Sequence, residues 1–463
     1  MEQQKKDAMT QYAERCSALC YENDAIDDAL FDQHHVFRGL RDRQGRGVVT
    51  GITNISRVDG RKKENGREVY CEGRLLYRGY NVIDLVQNCT RHGTFGFEEV
   101  AYLLLFGELP TAAQLQEFHG ILCDGRYLPE DFTRDVIMKA ASKDLMNSMA
   151  KSVLTLASYD DRAMDISVPN VLRQCLELIS VFPMLAIYGY QAYNHYVCND
   201  SLYIHRPDPK LTTAENMLRM LRPDCSYTET EAKVLDIALI LHMEHGGGNN
   251  STFVCRAMSS SGTDTYSAIA GAVGSLKGPL HGGANAKVME MFRYIKENVD
   301  PHDDGSIKDY LNKLLDGQAG DRSGKIYGLG HAVYTMSDPR AVLLKKYAQR
   351  MAELKGYADD FALLQKVEEL GLPMVMERKH SDTPMCANVD MYSGLVYAML
   401  GIPEEVFTPL FASARIAGWC ANRIEEVVTC HRIMRPAYRA VTTHEAYIPM
   451  DQRGEHLRLS AAD

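Results

Sequence analysis

Several chemistries are missing from this sequence. Its 12 cysteines are scattered with no C-x-x-C pair and no zinc-type spacing, which removes the common structural metal motifs. The closest two, Cys16 and Cys20, stand one helical turn apart, and most of the set reads as small buried hydrophobes in a reducing compartment. No segment reads as the roughly 20 apolar residues of a membrane span. The N-terminal MEQQKKDAMTQYAERC has no uninterrupted apolar core of the kind a secretory signal carries. Positive charge is not in excess: the formal net charge is -10, which argues against a chain that coats nucleic acid. Walker loops, nucleophilic serine or cysteine motifs and clustered metal ligands are also missing. The expectation is a cytoplasmic enzyme or binding protein with no metal, nucleic-acid or membrane partner.

What is there is ordinary globular material. The chain has 463 residues, 45% hydrophobic and 24% charged, enough for a sizeable core in one large domain and a smaller one. Helical periodicity dominates. FEEVAYLLLF, Phe97 to Phe106, reads as a buried helix stopped by Gly107, and another runs through Val234 to Leu241. Residues 263 to 276, TDTYSAIAGAVGSL, have a polar start and so many small side chains that close packing against a neighbouring helix follows. Strand signals are confined to the first hundred residues, where Val48 to Ile55 and Leu75 to Val82 flank a polar insert. A small N-terminal β-ribbon on an all-α body is therefore expected. The boundaries read as an N-terminal segment 1–37, a large domain 38–285 and 389–463, and a small inserted domain 286–388 with helices at Ala286 to Glu297 and Ala341 to Leu354.

Polar residues that break the local pattern collect on Gly-rich junctions beside apolar helices, where rigid elements hold reactive groups. HMEHGGGNNS ends the Val234 helix with His242 and His245; the plain reading of His245 is a cationic C-terminal cap. GPLHGGAN sets His281 on a backbone that can approach a ligand closely. YGLGHAVYTMSDPR holds His331 after Gly328 and Gly330, with Arg340 beyond the Asp338-Pro339 turn. NVDMYSG puts Asp390 at a helix start, where an aspartate is also a common dipole partner. ASARIAGW buries Arg415, in either a structural ion pair or a carboxylate site, and RIMRPAY places Arg435 before a proline. Arginine forks bind small di- and tricarboxylates bidentately. Histidines polarise carbonyl oxygens, and an aspartate removes a proton from carbon if the enolate oxygen is stabilised at that moment. HMEH as a metal-dependent lyase site lacks a third ligand.

GRLLYRGY, FEEVAYLLLFGELP, GPLHGGAN, GLGHAVY with DPR, NVDMYSG and FTPLFASARIAGW, in this order from about residue 38 to about 450, resemble the citrate synthase family. The resemblance implies a mainly α multi-helical homodimer whose two domains close over a cleft. It implies that His281 hydrogen-bonds the acetyl-CoA thioester oxygen, Asp390 takes the methyl proton, and His331 polarises the oxaloacetate ketone. Citryl-CoA forms and is hydrolysed, with no cofactor beyond CoA as a substrate. His245, Arg340 and Arg415 match oxaloacetate- and citrate-binding positions, and Arg435 an arginine contributed by the other subunit. The backbone of Gly328, Leu329 and Gly330 matches a loop that holds the adenine end of CoA; Arg378 and Lys379 stand near enough in sequence to meet its phosphates, or form a solvated pair. Ala332 departs from the arginine of many bacterial members. Residues 1–37 and the insert from Gly60 to Glu68 match nothing in the pattern. The competing readings are 2-methylcitrate synthesis from propionyl-CoA, and a catalytically silent CoA- or carboxylate-binding regulator on the same scaffold.

Overall fold

The computed structural model describes residues 2–42, 45–380, 382–429, 432–442, 444 and 447–450. It divides into two compact units, one of Met1–Val49 with Arg435–Asp463 and one of Thr50–Met434. The first holds the helices Glu2–Asp24 and Asp28–Gln33. The second is a helical body with a three-stranded antiparallel sheet at its start, in the order β1 (Ser56–Glu64), β2 (Arg67–Tyr77), β3 (Tyr80–Asn81).

The mainly α expectation holds, and several helices begin and end where their residues direct. Phe97–Phe106 stops at Gly107, which takes up φ 88°. The small-residue helix Thr265–Leu276 is capped by Asp264, whose side chain accepts from Ser267 N. It packs on the helices Asn250–Ser260 and Leu145–Leu156. A Cβ on its Gly271 would stand 2.2 Å from Met258 Sδ, so the small side chains are what let these axes close up.

The strands differ from expectation. Val48 to Ile55 forms no strand, and Val49 and Ile52 are about as exposed as side chains become, at 88% and 93%. The polar insert is itself the hairpin, with Glu64 opposite Arg67 across Asn65 and Gly66. Both turn residues have positive φ, 50° and 78°, the conformation that Asn-Gly supplies at least cost. The helix Val168–Tyr196 also corrects the sequence reading: by length and composition it could cross a membrane, with mean hydropathy 1.5 over its most apolar 18-residue window. That window is 78% buried inside the protein, where the helix packs on Phe407–Thr429 and Leu145–Leu156. Among the described cysteines Cys89, Cys123, Cys175, Cys255, Cys386 and Cys420 are buried, whereas Cys20 and Cys198 are exposed; Cys430 lies outside the described residues.

A buried carboxylate joins the core helix Glu229–His242 to the start of Phe97–Phe106. Asp236 accepts from Gly96 N at 2.7 Å and from Phe97 N at 3.1 Å. These are amide groups that a helix start leaves without intrahelical partners. Asp236→Leu strands both, so it is expected to lower the free energy of unfolding by about 2–4 kcal/mol, read from urea denaturation. An unchanged midpoint would mean that water or a shifted side chain takes over.

Candidate active site

The histidines arrive from three junctions. The helix Glu229–His242 ends one turn before the glycines, so His245 lies past its end and is not part of it. The return of this loop is possible because Gly418, on the helix Phe407–Thr429, has no side chain: a Cβ there would stand 2.2 Å from Met243 O. Glu244 anchors the loop, accepting from Ser56 Oγ at 3.0 Å, Gly246 N at 2.7 Å and Asn422 Nδ2 at 2.9 Å. His245 is buried and its Nε2 finds no protein partner. Burial, then Arg340 and His331, push its pKa well below the ordinary histidine value. That direction, with a place beyond the helix end, argues against a cationic helix cap for His245.

His331 follows the Gly328–Gly330 turn, and its Nδ1 accepts from both Val333 N and Tyr334 N, each at 3.0 Å. Two amide donors on Nδ1 leave the imidazole proton on Nε2. The His331 ring meets His245 edge-on at 5.1 Å and stacks on Tyr334 at 4.7 Å. Arg340, at the start of the helix Pro339–Lys355, donates from Nε and Nη2 to Asp338 at 3.0 and 2.7 Å; its Nη2 also lies 3.4 Å from His331 Nε2, a close approach and not a hydrogen bond with the proton on Nε2, since both atoms are then donors. Burial works to deprotonate Arg340, but the Asp338 carboxylate outweighs it and holds the guanidinium above its usual value.

His281 sits between its glycines as expected, and its Nε2 meets Ser251 Oγ at 3.0 Å while accepting from Ser251 N at 3.4 Å. Its proton is thus assigned to Nδ1, the opposite nitrogen from that of His331. Burial, then Arg415, lowers its pKa to about 4. Trp419 Nε1 donates to the same Ser251 hydroxyl at 3.2 Å.

Asp390 opens the helix Asp390–Met399 and is half-buried there. Burial raises its pKa to about 6, with Arg340 pulling the other way and Asp338 adding to the rise. A dipole partner on an exposed helix start would show no such rise. Asn388 ties this start to the glycine turn: it accepts from Asp390 N at 3.0 Å and donates from Nδ2 to Gly330 O at 2.9 Å. Leu329 bridges Ala387, and Gly328, at φ 85°, lets the turn pass Met391, whose Sδ would lie 2.7 Å from a Cβ.

Arg415 is wholly buried in the helix Phe407–Thr429. Its Nε donates to His242 O at 2.6 Å, its guanidinium lies 4.7 Å from the Phe411 ring centre, and Nη1 and Nη2 meet no protein acceptor. Burial lowers its pKa to about 10, opposed by Glu244. Of the two sequence readings, the structural ion pair is not made and an open anion fork remains. Arg435 falls in the other compact unit. Arg378 pairs with Asp316 instead of standing free. Ser251, Glu244, Tyr334, Asp338 and Asn388 were not singled out from sequence for this site; each is a short-range partner whose importance lies in what it faces.

Residues 39–437 match the family described as citrate synthase, C-terminal domain. The chain belongs to the citrate synthase family. A citrate synthase of Synechocystis sp. is 34% identical over 422 residues, covering 88% of this chain and 92% of that protein. A 2-methylcitrate synthase of Shewanella oneidensis is also 34% identical, over 78% of this chain and 87% of its own. Among solved structures, the ternary complex of carboxymethyl coenzyme A and oxaloacetate with citrate synthase from Thermoplasma acidophilum superposes with TM-score 0.74. It shares 26% identity and covers 90% of this chain and 99% of that one. The citrate synthase family is one of acyl-transferring condensing enzymes, and the glycine-rich histidine junctions of this chain lie inside the matched span.

Proposed function

We propose that the chain condenses acetyl-CoA with oxaloacetate and hydrolyses the resulting citryl-CoA to citrate and CoA. The observation that carries this reading is a half-buried carboxylate, Asp390, whose pKa is raised to about 6, in a chain whose His281 and His331 have protons assigned to opposite ring nitrogens. His281 Nδ1–H donates to the thioester oxygen while Asp390 takes a methyl proton, giving the enol. His331 Nε2–H polarises the ketone, the enol carbon attacks it, and the new C–C bond gives citryl-CoA. Water then cleaves the thioester C–S bond. Neutral histidines suit both steps, because a preorganised N–H stabilises charge where it develops. The open fork of Arg415, with Arg340 and His245, takes the oxaloacetate carboxylates.

The same reading makes residues 286–388 a small domain that closes on the large one, with Gly328, Leu329 and Gly330 receiving the adenine end of CoA, and makes the enzyme cytoplasmic. Relatives named for citrate and for 2-methylcitrate stand at the same 34% identity. That equality is the ground for a second reading, propionyl-CoA as acyl donor. One methylene changes discrimination by only about 1–3 kcal/mol. Thiol release with each acyl-CoA plus oxaloacetate tests the choice: the proposal expects the larger kcat/KM with acetyl-CoA, and a larger value with propionyl-CoA reverses it.

The proposal includes a homodimer in which Arg435 serves the partner's site. Chains carrying Asp390→Asn and chains carrying Arg435→Ala, each nearly inactive alone, are expected to regain about a quarter of wild-type activity when co-expressed. Half of randomly paired dimers are mixed, and each mixed dimer has one intact site. No recovery, with mixed dimers verified by mass spectrometry, means that Arg435 serves its own chain.

A further inference from the structure

The β1–β2 ribbon has no part in the proposed chemistry, yet it is built against the loops that carry it. A Cβ on Gly60 of β1 would stand 2.2 Å from Val333 O, and one on Gly73 of β2 would stand 2.1 Å from Ser337 O and 2.7 Å from Tyr334 Cδ1. Any side chain at either position must displace the backbone that follows His331. Polar contacts fix the same approach: Gly73 N donates to Ser337 Oγ at 3.2 Å, and Ser337 Oγ donates to Glu72. At the foot of β1, Ser56 Oγ donates to Glu244, beside His245. Farther along β2, Tyr70 hydroxyl and Thr383 Oγ1 lie 3.1 Å apart.

Between ribbon and histidines lies Tyr334, 1% exposed. Its ring stacks on His331 at 26° between planes and meets His245 edge-on at 5.4 Å, with the Arg340 guanidinium 5.9 Å from its centre. Its hydroxyl is buried and meets no protein partner. What this position presents to His331, His245 and Arg340 is the ring. An imidazole whose Nδ1 is pinned by two amides still rocks about its last torsion, which is broad. A flat ring against its face removes that freedom and sets the direction of Nε2–H.

We infer that Tyr334 is a positioning residue for His331, pressed into place by the ribbon through Gly60 and Gly73. The inference rests on His331 polarising the ketone. The test uses full-length Tyr334→Phe, Tyr334→Leu and Gly73→Ala, with kcat and KM, oxaloacetate affinity by calorimetry, and NMR of labelled histidine rings. Tyr334→Phe keeps the ring and is expected to hold kcat within about twofold, whereas Tyr334→Leu and Gly73→Ala lower it about 10- to 100-fold, the scale of a small misplacement. Oxaloacetate affinity should change far less than kcat, and the His331 ring signals should shift in the Leu and Ala proteins but stay in place in the Phe protein. A loss in Tyr334→Phe equal to that in Tyr334→Leu overturns the inference in favour of the hydroxyl. Leu and Ala proteins that lose stability but keep kcat overturn it in favour of a structural role. If Tyr334→Leu does not fold, Gly60→Ala and Gly73→Ala carry the same comparison. His331→Asn with unchanged kcat instead removes the catalytic reading of His331, and the ring signals still report whether Tyr334 positions it.

Discussion

Asp390→Asn is expected to lower turnover by at least about a hundredfold, the usual scale for a lost general base, while oxaloacetate still binds. The argument starts from burial. A half-buried carboxylate at the head of the helix Asp390–Met399 holds its proton up to about pH 6 instead of 3.8, which brings its basicity nearer to that of a carbon acid's conjugate. Two consequences carry opposite signs. Activity needs the ionised form, so kcat/KM of the native enzyme should fall as pH drops through about 6. Stability behaves the other way: the folded state binds this proton more tightly than the unfolded chain, so the Asp390 contribution worsens as pH rises from 3.8 through about 6. Asp390→Asn removes that cost, and the variant should unfold at an equal or higher temperature than the native protein at pH 8. Near-normal turnover in a folded variant would return Asp390 to the role of a dipole partner.

Arg415→Met is expected to separate binding from stability even more widely. The guanidinium is wholly buried, with Nη1 and Nη2 unmatched by any protein acceptor. Leaving a buried charge without a close partner is costly, and replacing such groups with apolar residues of similar size often gains about 1–4 kcal/mol. Binding should move against this gain, since removing one partner of a buried charge pair costs about 2–5 kcal/mol. Oxaloacetate affinity should therefore fall by about 30-fold or more, while the unliganded protein becomes no less stable. Calorimetry and thermal unfolding on the same samples read both. Unchanged affinity would mean that the open fork of Arg415 serves something other than the substrate.

Most of the site was legible in the sequence because its histidines and arginines break apolar patterns beside glycines, and such breaks are visible in one dimension. His281, His331, His245, Arg340, Arg415 and Asp390 can all be singled out this way, and the structure sets His331 against both His245 and Arg340. The partners were not legible. Ser251 looks like any residue in the first turn of a helix, Asn388 like a turn residue, and Tyr334 like one more aromatic in a loop. Each matters through a contact with a residue distant in sequence or across a turn. The ribbon lies in the polar insert and not in the β-branched run Val48 to Ile55, because Asn65-Gly66 between two polar, charge-alternating segments supplies the hairpin turn. The expectation that no segment is apolar enough to span a membrane fails for the helix Val168–Tyr196, and only its packing inside the protein shows where that apolar surface goes.

The most direct test of the account follows the methyl hydrogens. Acetyl-CoA carrying three deuteriums on its methyl group is incubated with oxaloacetate, and the products are weighed by mass spectrometry. Abstraction of one deuteron by Asp390, attack on the ketone and hydrolysis predict citrate that keeps two deuteriums, formed in equal amount with free CoA and only when oxaloacetate is present. Release of CoA without oxaloacetate, with fully labelled acetate as the co-product, would contradict the account and make the protein a hydrolase of the thioester alone.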